Sequence, residues 1–175
     1  MTVCTGNICR SPMAEVVLRA RLAEAGLADR VVVDSSGISD EEHGNPVDPR
    51  AASVLREHGY EVPRHRAHQA TRDELGARDL LLAMTARHAR WLRTQAPDAD
   101  AAARVRLYRS FDPEAPQAEE VDEAVLDIAD PWYGDRDDFV LTLREVEAAA
   151  DGVVEHVRGL LASGSAEDPG RSGRA

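Results

Sequence analysis

Residues 4–12 have the sequence Cys4-Thr5-Gly6-Asn7-Ile8-Cys9-Arg10-Ser11-Pro12. Gly6 can adopt a positive φ without steric cost, and Asn7 tolerates the left-handed conformation better than most residues. In such a curled segment, successive backbone N–H groups point inward and can bind an anion. Pro12 suits the first turn of a helix, where its missing N–H is not needed. The stretch therefore predicts an anion-binding loop that leads into the positive end of a helix.

Two side chains can make this loop reactive. Arg10 offers a planar guanidinium that matches two phosphate oxygens. A cysteine that faces inward N–H groups, a helix N-terminus and a guanidinium is expected to ionise, so Cys4 can attack a bound phosphorus. The Ser11 hydroxyl can donate to the sulfur and stabilise it. The alternative, that Cys4 is only a small buried apolar residue, leaves the rest of the pattern unexplained.

Length and composition indicate a single domain. The chain has 175 residues, of which 43% are hydrophobic and 30% charged, values typical of a globular protein with a substantial core. No apolar segment approaches the roughly 20 residues that span a bilayer. With no signal peptide visible, the cytoplasm is the expected location, and export without a signal peptide stays open. Both cysteines lie in the loop, which argues against a disulfide framework and against a zinc site.

The charge of the chain limits its partners. A formal net charge of −11 argues against nucleic acid and anionic membranes as partners, and is otherwise typical of a solvated surface. The 21 basic residues are all arginine. Without lysine, the loop cannot be the Gly-Lys-Ser/Thr loop of nucleoside-triphosphate-binding proteins. The sequence does not indicate the oligomeric state.

Apolar patterns predict strands that alternate with helices. The predicted strands are Met1 to Val3, Val31 to Val33, Leu80 to Met84 and Val105 to Tyr108. The predicted helices run from Pro12 to Ala25, from Pro49 (capped by Asp48) to before Gly59, from a cap at Thr85, and from Asp137 onward through Gly152. This order predicts an α/β fold, a doubly wound parallel sheet with helices on both faces. We expect one domain over residues 1–162 and a disordered, Gly/Ser-rich tail over residues 163–175.

The first strand fits this architecture but is short. Ligands of parallel sheets bind beyond the carboxyl ends of the strands, and Cys4 follows the first strand directly. Three residues is short against the usual five or so. We therefore hypothesise that the natural chain starts upstream of Met1. Intact-mass analysis of the native protein that shows Met1 as its first residue would contradict this.

A second motif, Asp130-Pro131-Trp132-Tyr133-Gly134-Asp135, suggests how a leaving group is protonated. The tyrosine hydroxyl has a pKa near 10, so its phenolate leaves reluctantly at neutral pH. A protonated acid beside the bridging oxygen typically contributes about 10²–10⁴ in rate, and Asp130 is the candidate. Trp132 and Tyr133 can sandwich a flat substrate ring. The alternative is an ordinary Asp-Pro turn with two packing aromatics.

Together the two motifs resemble those of the low-molecular-weight protein tyrosine phosphatases of the bacterial type. The resemblance rests on Val3 to Glu15 and on Asp130 to Asp135, and it extends to about Leu161. It is supported by Ser35-Ser36-Gly37, Gly44-Asn45-Pro46 and His58-Gly59-Tyr60. The family implies a four-stranded parallel sheet, phosphotyrosine-containing proteins as substrates, and a reaction without metal or other cofactor.

The resemblance also implies residue roles. Cys4 attacks as thiolate, Asp130 protonates the departing tyrosine, and water then hydrolyses the phosphocysteine with Asp130 as base. Arg10 and the loop N–H groups hold the phosphate oxygens. The residues expected to bind phosphate or brace the loop are Thr5, Gly6, Asn7, Ile8, Cys9, Ser11, Ser35 and His65. Structural roles are expected for His43, His58, His68 and His88.

Cys9 carries a second expectation from the family. There the neighbouring loop cysteine can trap the oxidised nucleophile as a reversible disulfide. A Cys9→Ser variant that recovers from peroxide as fully as the wild type would contradict this role.

The chain departs from the family at two positions. Glu41 stands where an aromatic residue often forms one wall of the substrate slot with Trp132 and Tyr133. It is either part of a variable surface loop or the source of a preference for basic residues near the phosphotyrosine. Thr85 stands where aspartate is common, a change that the sequence does not explain.

Three alternatives to a tyrosine phosphatase stay open. An arsenate reductase on the same fold needs further cysteines beyond Cys9, and the chain has none. A protein-arginine phosphatase has a nearly identical loop but carries threonine where this chain has Ile8. A non-catalytic phosphotyrosine-binding module would need neither the thiol of Cys4 nor the acid of Asp130. Turnover of phosphoarginine, phosphotyrosine and p-nitrophenyl phosphate distinguishes them.

Overall fold

The computed structural model describes residues 1–116 and 122–166, with side chains up to residue 163. Four strands form one parallel sheet in the order β2-β1-β3-β4. They are β1 (Thr2–Cys4), β2 (Ser35–Gly37), β3 (Leu81–Ala83) and β4 (Val105–Leu107). The α/β fold class and the four-stranded parallel sheet are confirmed. All four strands have three residues, so shortness is not peculiar to β1, and an upstream start stays a prediction.

In the described residues, six α-helices cover the sheet. They are α1 (Arg10–Glu24), α2 (Pro49–Glu57), α3 (Arg72–Ala77), α4 (Ala86–Gln95), α5 (Ala99–Ala103) and α6 (Arg136–Ala166). Single 3-10 turns lie at Tyr108–Phe111, Glu123–Leu126 and Pro131–Tyr133. One apolar core joins α1, α2 and α6 to one face of the sheet, and a second core joins α3 and α4 to the other face. None of the helices in the described part of the chain is long and apolar enough to cross a membrane.

Local signals in the sequence explain most helix ends. Asp48 caps α2 through the backbone N–H of Arg50, with Pro49 in the first turn. Thr85 accepts a hydrogen bond from the backbone N–H of His88 and so caps α4. The sequence analysis missed α3 and α5, which are both short. Each nevertheless carries an N-cap signal, a capping box at Thr71 and a side-chain cap at Asp98.

The prediction of a strand at Val31 to Val33 is wrong. Val32 is 88% exposed, and the carbonyl of Val33 accepts hydrogen bonds from the Arg19 guanidinium at 2.8 and 3.2 Å. The strand is instead Ser35–Gly37, whose residues pair with Thr2 to Cys4. Small residues are needed there because a Cβ on Gly37 would lie 2.6 Å from the carbonyl oxygen of Thr5.

Two further boundaries differ from the predictions. Helix α1 begins at Arg10, two residues before Pro12. Helix α6 continues through Ala166, so residues 163–166 are helical and do not belong to the predicted tail. The hydroxyl of Ser163 bonds to the carbonyl of Gly159 one turn earlier, which satisfies its polar group within the helix. Residues 167–175, the rest of that tail, lie outside the described residues.

Candidate active site

The loop between β1 and α1 is held open by Asn7. Asn7 has φ of 59° and is the one non-glycine residue with positive φ in the described part of the chain. Its side-chain amide donates to the hydroxyls of Ser11 at 3.0 Å and Ser35 at 2.9 Å. Its side-chain oxygen accepts from the backbone N–H of His68, and its carbonyl oxygen is 2.6 Å from Nε2 of His65. The structure therefore brings together Asn7, Ser11, Ser35 and His65, four of the residues predicted from the sequence to bind phosphate or brace the loop.

The curl leaves the loop amides unused. Among the described residues, the backbone N–H groups of Gly6, Asn7, Ile8 and Cys9 have no hydrogen-bond acceptor. Helix α1 begins directly after them, and no side chain caps its N-terminus. Buried N–H groups are rarely left unpaired. The loop and the helix end thus offer converging donors of the kind that bind tetrahedral oxyanions.

Cys4 lies at the carboxyl end of β1 and is 2% exposed. Its sulfur is 3.0 Å from the hydroxyl oxygen of Ser11, which also lies 3.2 Å from the carbonyl of Ser36. A hydroxyl has one hydrogen to donate. When Cys4 is a thiol, it can donate to Ser11 while Ser11 donates to Ser36. When Cys4 is a thiolate, the Ser11 hydrogen can turn to the sulfur.

Arg10 enters the same pocket from the first turn of α1. Its side chain is 5% exposed and forms an ion pair with Asp130. It also donates to the carbonyl of Ile128 at 3.1 Å and to the hydroxyl of Thr5 at 3.4 Å. Within the described part of the chain, the Nε of Arg10 is buried without an acceptor. The guanidinium is thus held in place by its other nitrogens, and its Nε–H can donate to a bound anion.

Asp130 reaches the pocket from the opposite wall. One carboxylate oxygen contacts Arg10, and the other accepts from the backbone N–H of Trp132 at 3.3 Å. The side chain is 42% exposed. The pocket has a volume of about 150 Å³. Its lining consists of Cys4, Thr5, Gly6, Ile8, Cys9, Arg10, Glu41, Glu42, Asp130, Trp132 and Tyr133.

The outer rim of the pocket is aromatic and acidic. Trp132 is 38% and Tyr133 94% exposed. Glu41 lines the rim, and Glu42, which was not among the residues predicted from the sequence, lies beside it. The Glu42 side chain packs over Gly6, since a Cβ on Gly6 would lie 2.9 Å from the Cγ of Glu42. The Glu42 carboxylate accepts a hydrogen bond from the side-chain amide of Asn45.

His88 was expected to be only structural, but it contacts the loop. It is 2% exposed, and its Nε2 lies 3.0 Å from the Thr5 hydroxyl, the group that accepts from Arg10. Burial, with smaller effects of Arg10 and Arg87, lowers the pKa of His88 to about 3. The ring is therefore neutral at ordinary pH. One feature of the sequence could have indicated this contact: His88 lies in the first turn of the helix that follows β3, at the carboxyl edge of the sheet.

The remaining candidates differ in environment. Cys9 is buried and unpaired, as is Cys4. Burial raises the pKa of the Cys9 thiol far above its ordinary value, and the nearby Asp48 adds a smaller increase. Cys9 is therefore protonated. Glu15, also missed, accepts from the Ser35 hydroxyl at 2.6 Å and pairs with Arg19. No group of three or more metal-binding side chains is gathered among the described residues.

Comparisons with known proteins point to one family. The family model described as low molecular weight phosphotyrosine protein phosphatase matches residues 1–160. A low molecular weight protein-tyrosine-phosphatase of Streptomyces coelicolor is 46% identical over 156 residues, which cover 89% of this chain and 91% of that protein. Low molecular weight protein-tyrosine phosphatase A of Mycobacterium tuberculosis is 45% identical over 160 residues, 91% of each chain.

A solved structure supports the same relationship. Vibrio vulnificus Wzb in complex with benzylphosphonate aligns with a TM-score of 0.71 and 29% identity, covering 89% of this chain and 95% of that one.

Proposed function

The chain belongs to the low molecular weight phosphotyrosine protein phosphatase family, and on that premise we propose that it hydrolyses phosphotyrosine in proteins through a phosphocysteine on Cys4. Enzymes of this family are phosphoric monoester hydrolases. The observation that carries the proposal is the meeting of Cys4, Arg10 and Asp130 in one pocket. Binding alone would require the cation but neither the sulfur nor the acid.

In the first step, the thiolate of Cys4 attacks phosphorus and an S–P bond forms as the P–O bond to tyrosine breaks. Asp130 gives its proton to the phenolic oxygen, which leaves as neutral tyrosine. The loop N–H groups and Arg10 hold the three non-bridging oxygens. Because these donors are already positioned, they stabilise the transition-state charge without reorganisation.

In the second step, a water molecule attacks the phosphocysteine and gives its proton to the Asp130 carboxylate. The S–P bond breaks, inorganic phosphate leaves, and Cys4 returns to the thiolate. The Ser11 hydroxyl, 3.0 Å from the sulfur, stabilises the leaving thiolate by donating its hydrogen. Across the two steps the proton on Asp130 is given up and regained, and the thiolate of Cys4 is regenerated.

The rim of the pocket bears on which substrates are accepted. Trp132 and Tyr133 offer faces for a substrate ring, and the benzylphosphonate bound by Vibrio vulnificus Wzb is itself an aryl-containing phosphate analogue. Glu41 would favour phosphotyrosine with basic neighbours. If Glu41→Gln leaves the relative kcat/KM for basic and neutral phosphopeptides unchanged, that preference does not come from Glu41.

The test of the proposed function is a series of aryl phosphates with leaving groups of increasing pKa. Asp130→Ala should lower kcat/KM by about 10²–10⁴ for phosphotyrosine and much less for activated esters, because only poor leaving groups need the proton. Cys4→Ser should abolish turnover while phosphate binding persists. An equal loss across all leaving groups in Asp130→Ala would contradict the assignment of Asp130 as the acid.

A further inference from the structure

We propose that Arg50, in the first turn of α2, positions the loop that carries the general acid. The acid loop is defined here as residues 130–135. The inference rests on the proposed function, since it concerns where Asp130 stands when a phosphate ester is bound. Among the described residues, no hydrogen bond joins the Arg50 side chain directly to the phosphate-binding loop, and we expect Arg50 to act through the acid loop.

Arg50 grips the acid loop at two points. Its Nη1 donates to the carbonyl oxygen of Gly134 at 3.2 Å. Its guanidinium carbon lies 5.7 Å from the centre of the Trp132 ring and 4.6 Å from that of Phe139, in the first turns of α6. Both distances fall within the range of cation–π attraction. One side chain thus joins the acid loop to the start of α6.

The Arg50 guanidinium is itself held in place by Asp48. Two guanidinium nitrogens of Arg50 donate to the two Asp48 oxygens at 3.1 and 3.0 Å. Burial alone would raise the pKa of Asp48, but the hydrogen bonds from the Arg50 side chain and backbone outweigh it, so its pKa lies below the ordinary value. The backbone N–H of Asp48 donates to the Ile8 carbonyl at 2.8 Å. Asp48 therefore connects Ile8 of the phosphate-binding loop to Arg50, and Arg50 in turn connects to the acid loop. These contacts fix the position of the acid loop relative to the phosphate-binding loop.

Substrate binding makes this contact decisive. Within the described part of the chain, residues 130–134 receive hydrogen bonds from outside the acid loop only through Arg10 and Arg50. A bound phosphate would replace Asp130 as the acceptor of the Arg10 hydrogen bond. The partner that Asp130 then keeps is the backbone N–H of Trp132, in its own loop. Arg50 then supplies the hydrogen bond that still holds residues 130–134 against the rest of the described chain, while Asp135 is hydrogen-bonded to Asp137 and Asp138 at the start of α6.

The test compares Arg50→Met with the wild type on two substrates. Methionine keeps an unbranched apolar chain but loses the fork of donors and the charge. We expect kcat/KM for a phosphotyrosine peptide to fall about tenfold, a fraction of the total that a general acid supplies, and to fall less than about twofold for p-nitrophenyl phosphate. The affinity for inorganic phosphate should stay the same. Arg50→Lys, which keeps the charge without the fork, should give an intermediate loss.

Two controls separate positioning from general damage. In an Asp130→Ala background, Arg50→Met should cause no further loss, because there is no acid left to position. The Arg136 side chain also joins α2 to α6, through Glu57, and among the described residues it makes no hydrogen bond or ion pair with Asp48 or the acid loop. Arg136→Met should therefore leave both substrates unaffected.

Three results would overturn the inference. They are an equal fall for both substrates, an undiminished effect of Arg50→Met in the Asp130→Ala background, and a matching loss of phosphate affinity. If Asp130→Ala shows the expected dependence on the leaving group and Arg50→Met does not, only the role of Arg50 fails. If Asp130→Ala itself shows none, the proposed function fails first.

Discussion

Asp130 and a phosphate ester compete for the same cation. The carboxylate of Asp130 contacts the buried guanidinium of Arg10, the group that a substrate phosphate would also use. The ion pair keeps a buried charge compensated. In the proposed reaction, binding of phosphate would free the carboxyl group of Asp130 for proton transfer.

This competition predicts that Asp130→Asn binds phosphate more tightly. An ion pair with a partly exposed partner is worth about 0.2–1 kcal/mol, so removing the charge should tighten phosphate binding by up to about fivefold. Isothermal titration calorimetry measures this directly. Asp135→Asn removes a charge from the same loop without touching Arg10 and serves as control. Unchanged or weaker binding by Asp130→Asn would contradict the competition.

The residues that sequence could identify are those in contiguous motifs. Cys4, Arg10 and Asp130 lie in short motifs that indicate their chemistry without a structure. Asparagine is a residue type that often adopts positive φ, as Asn7 does here. His88 and Arg50 could not be found this way. Each lies on another helix and reaches the site only once the sheet and its helices are assembled. Thr85 now has a physical account, since its hydroxyl caps α4 at the turn that carries His88.

At the scale of elements, His88 ties the stability of the protein to pH. Its pKa is lowered from 6.5 to about 3, so between these values the unfolded chain binds a proton that the folded protein does not. Stability is therefore complete above the unfolded pKa and falls as the pH decreases towards 3. This contribution alone should cost about 2 kcal/mol between pH 8 and pH 5.

Urea unfolding at the two pH values, compared between the wild type and His88→Gln, isolates this effect. Glutamine does not titrate, so the variant should lose less stability on acidification than the wild type by that amount. The same loss in both proteins would show that His88 is not the group responsible.

Helix α6 packs closely against the turn after β4 at Gly152. A Cβ there would lie 2.1 Å from the carbonyl oxygen of Phe111. Gly152→Ala should therefore destabilise the protein by about 1–3 kcal/mol, although alanine favours helices. Gly159 lies in the same helix with nothing within 4 Å, so Gly159→Ala should stabilise by about 0.5–1 kcal/mol. Urea midpoints that move in the same direction for both variants would contradict this reading.

The strand that the sequence misplaced shows what a local pattern cannot report. Val31 to Val33 have strong β propensity, yet the sheet uses Ser35–Gly37. Strand propensity reflects packing on a sheet more than an intrinsic backbone preference. Here the deciding requirement is room beside Thr5 and Asn7, which the glycine provides. Capped helices such as α2 and α4 were predictable because their signals are local.

At the scale of the whole molecule, an acidic protein gathers anion-binding groups at one edge of its sheet. The net charge is −11, while the site combines a buried guanidinium, unpaired loop N–H groups and a helix N-terminus. The doubly wound topology brings these together because β1 is central and its carboxyl end opens directly into α1. In the proposed reaction, this arrangement would place an oxyanion beside the sulfur of Cys4.

The most direct measurement of that claim is intact and peptide mass spectrometry after rapid acid quench of the enzyme during turnover of phosphotyrosine. A single phosphoryl group should appear on Cys4, and it should be absent from Cys4→Ser, which should also be inactive. A phosphoryl group on any other residue, or continued turnover by Cys4→Ser, would contradict the account.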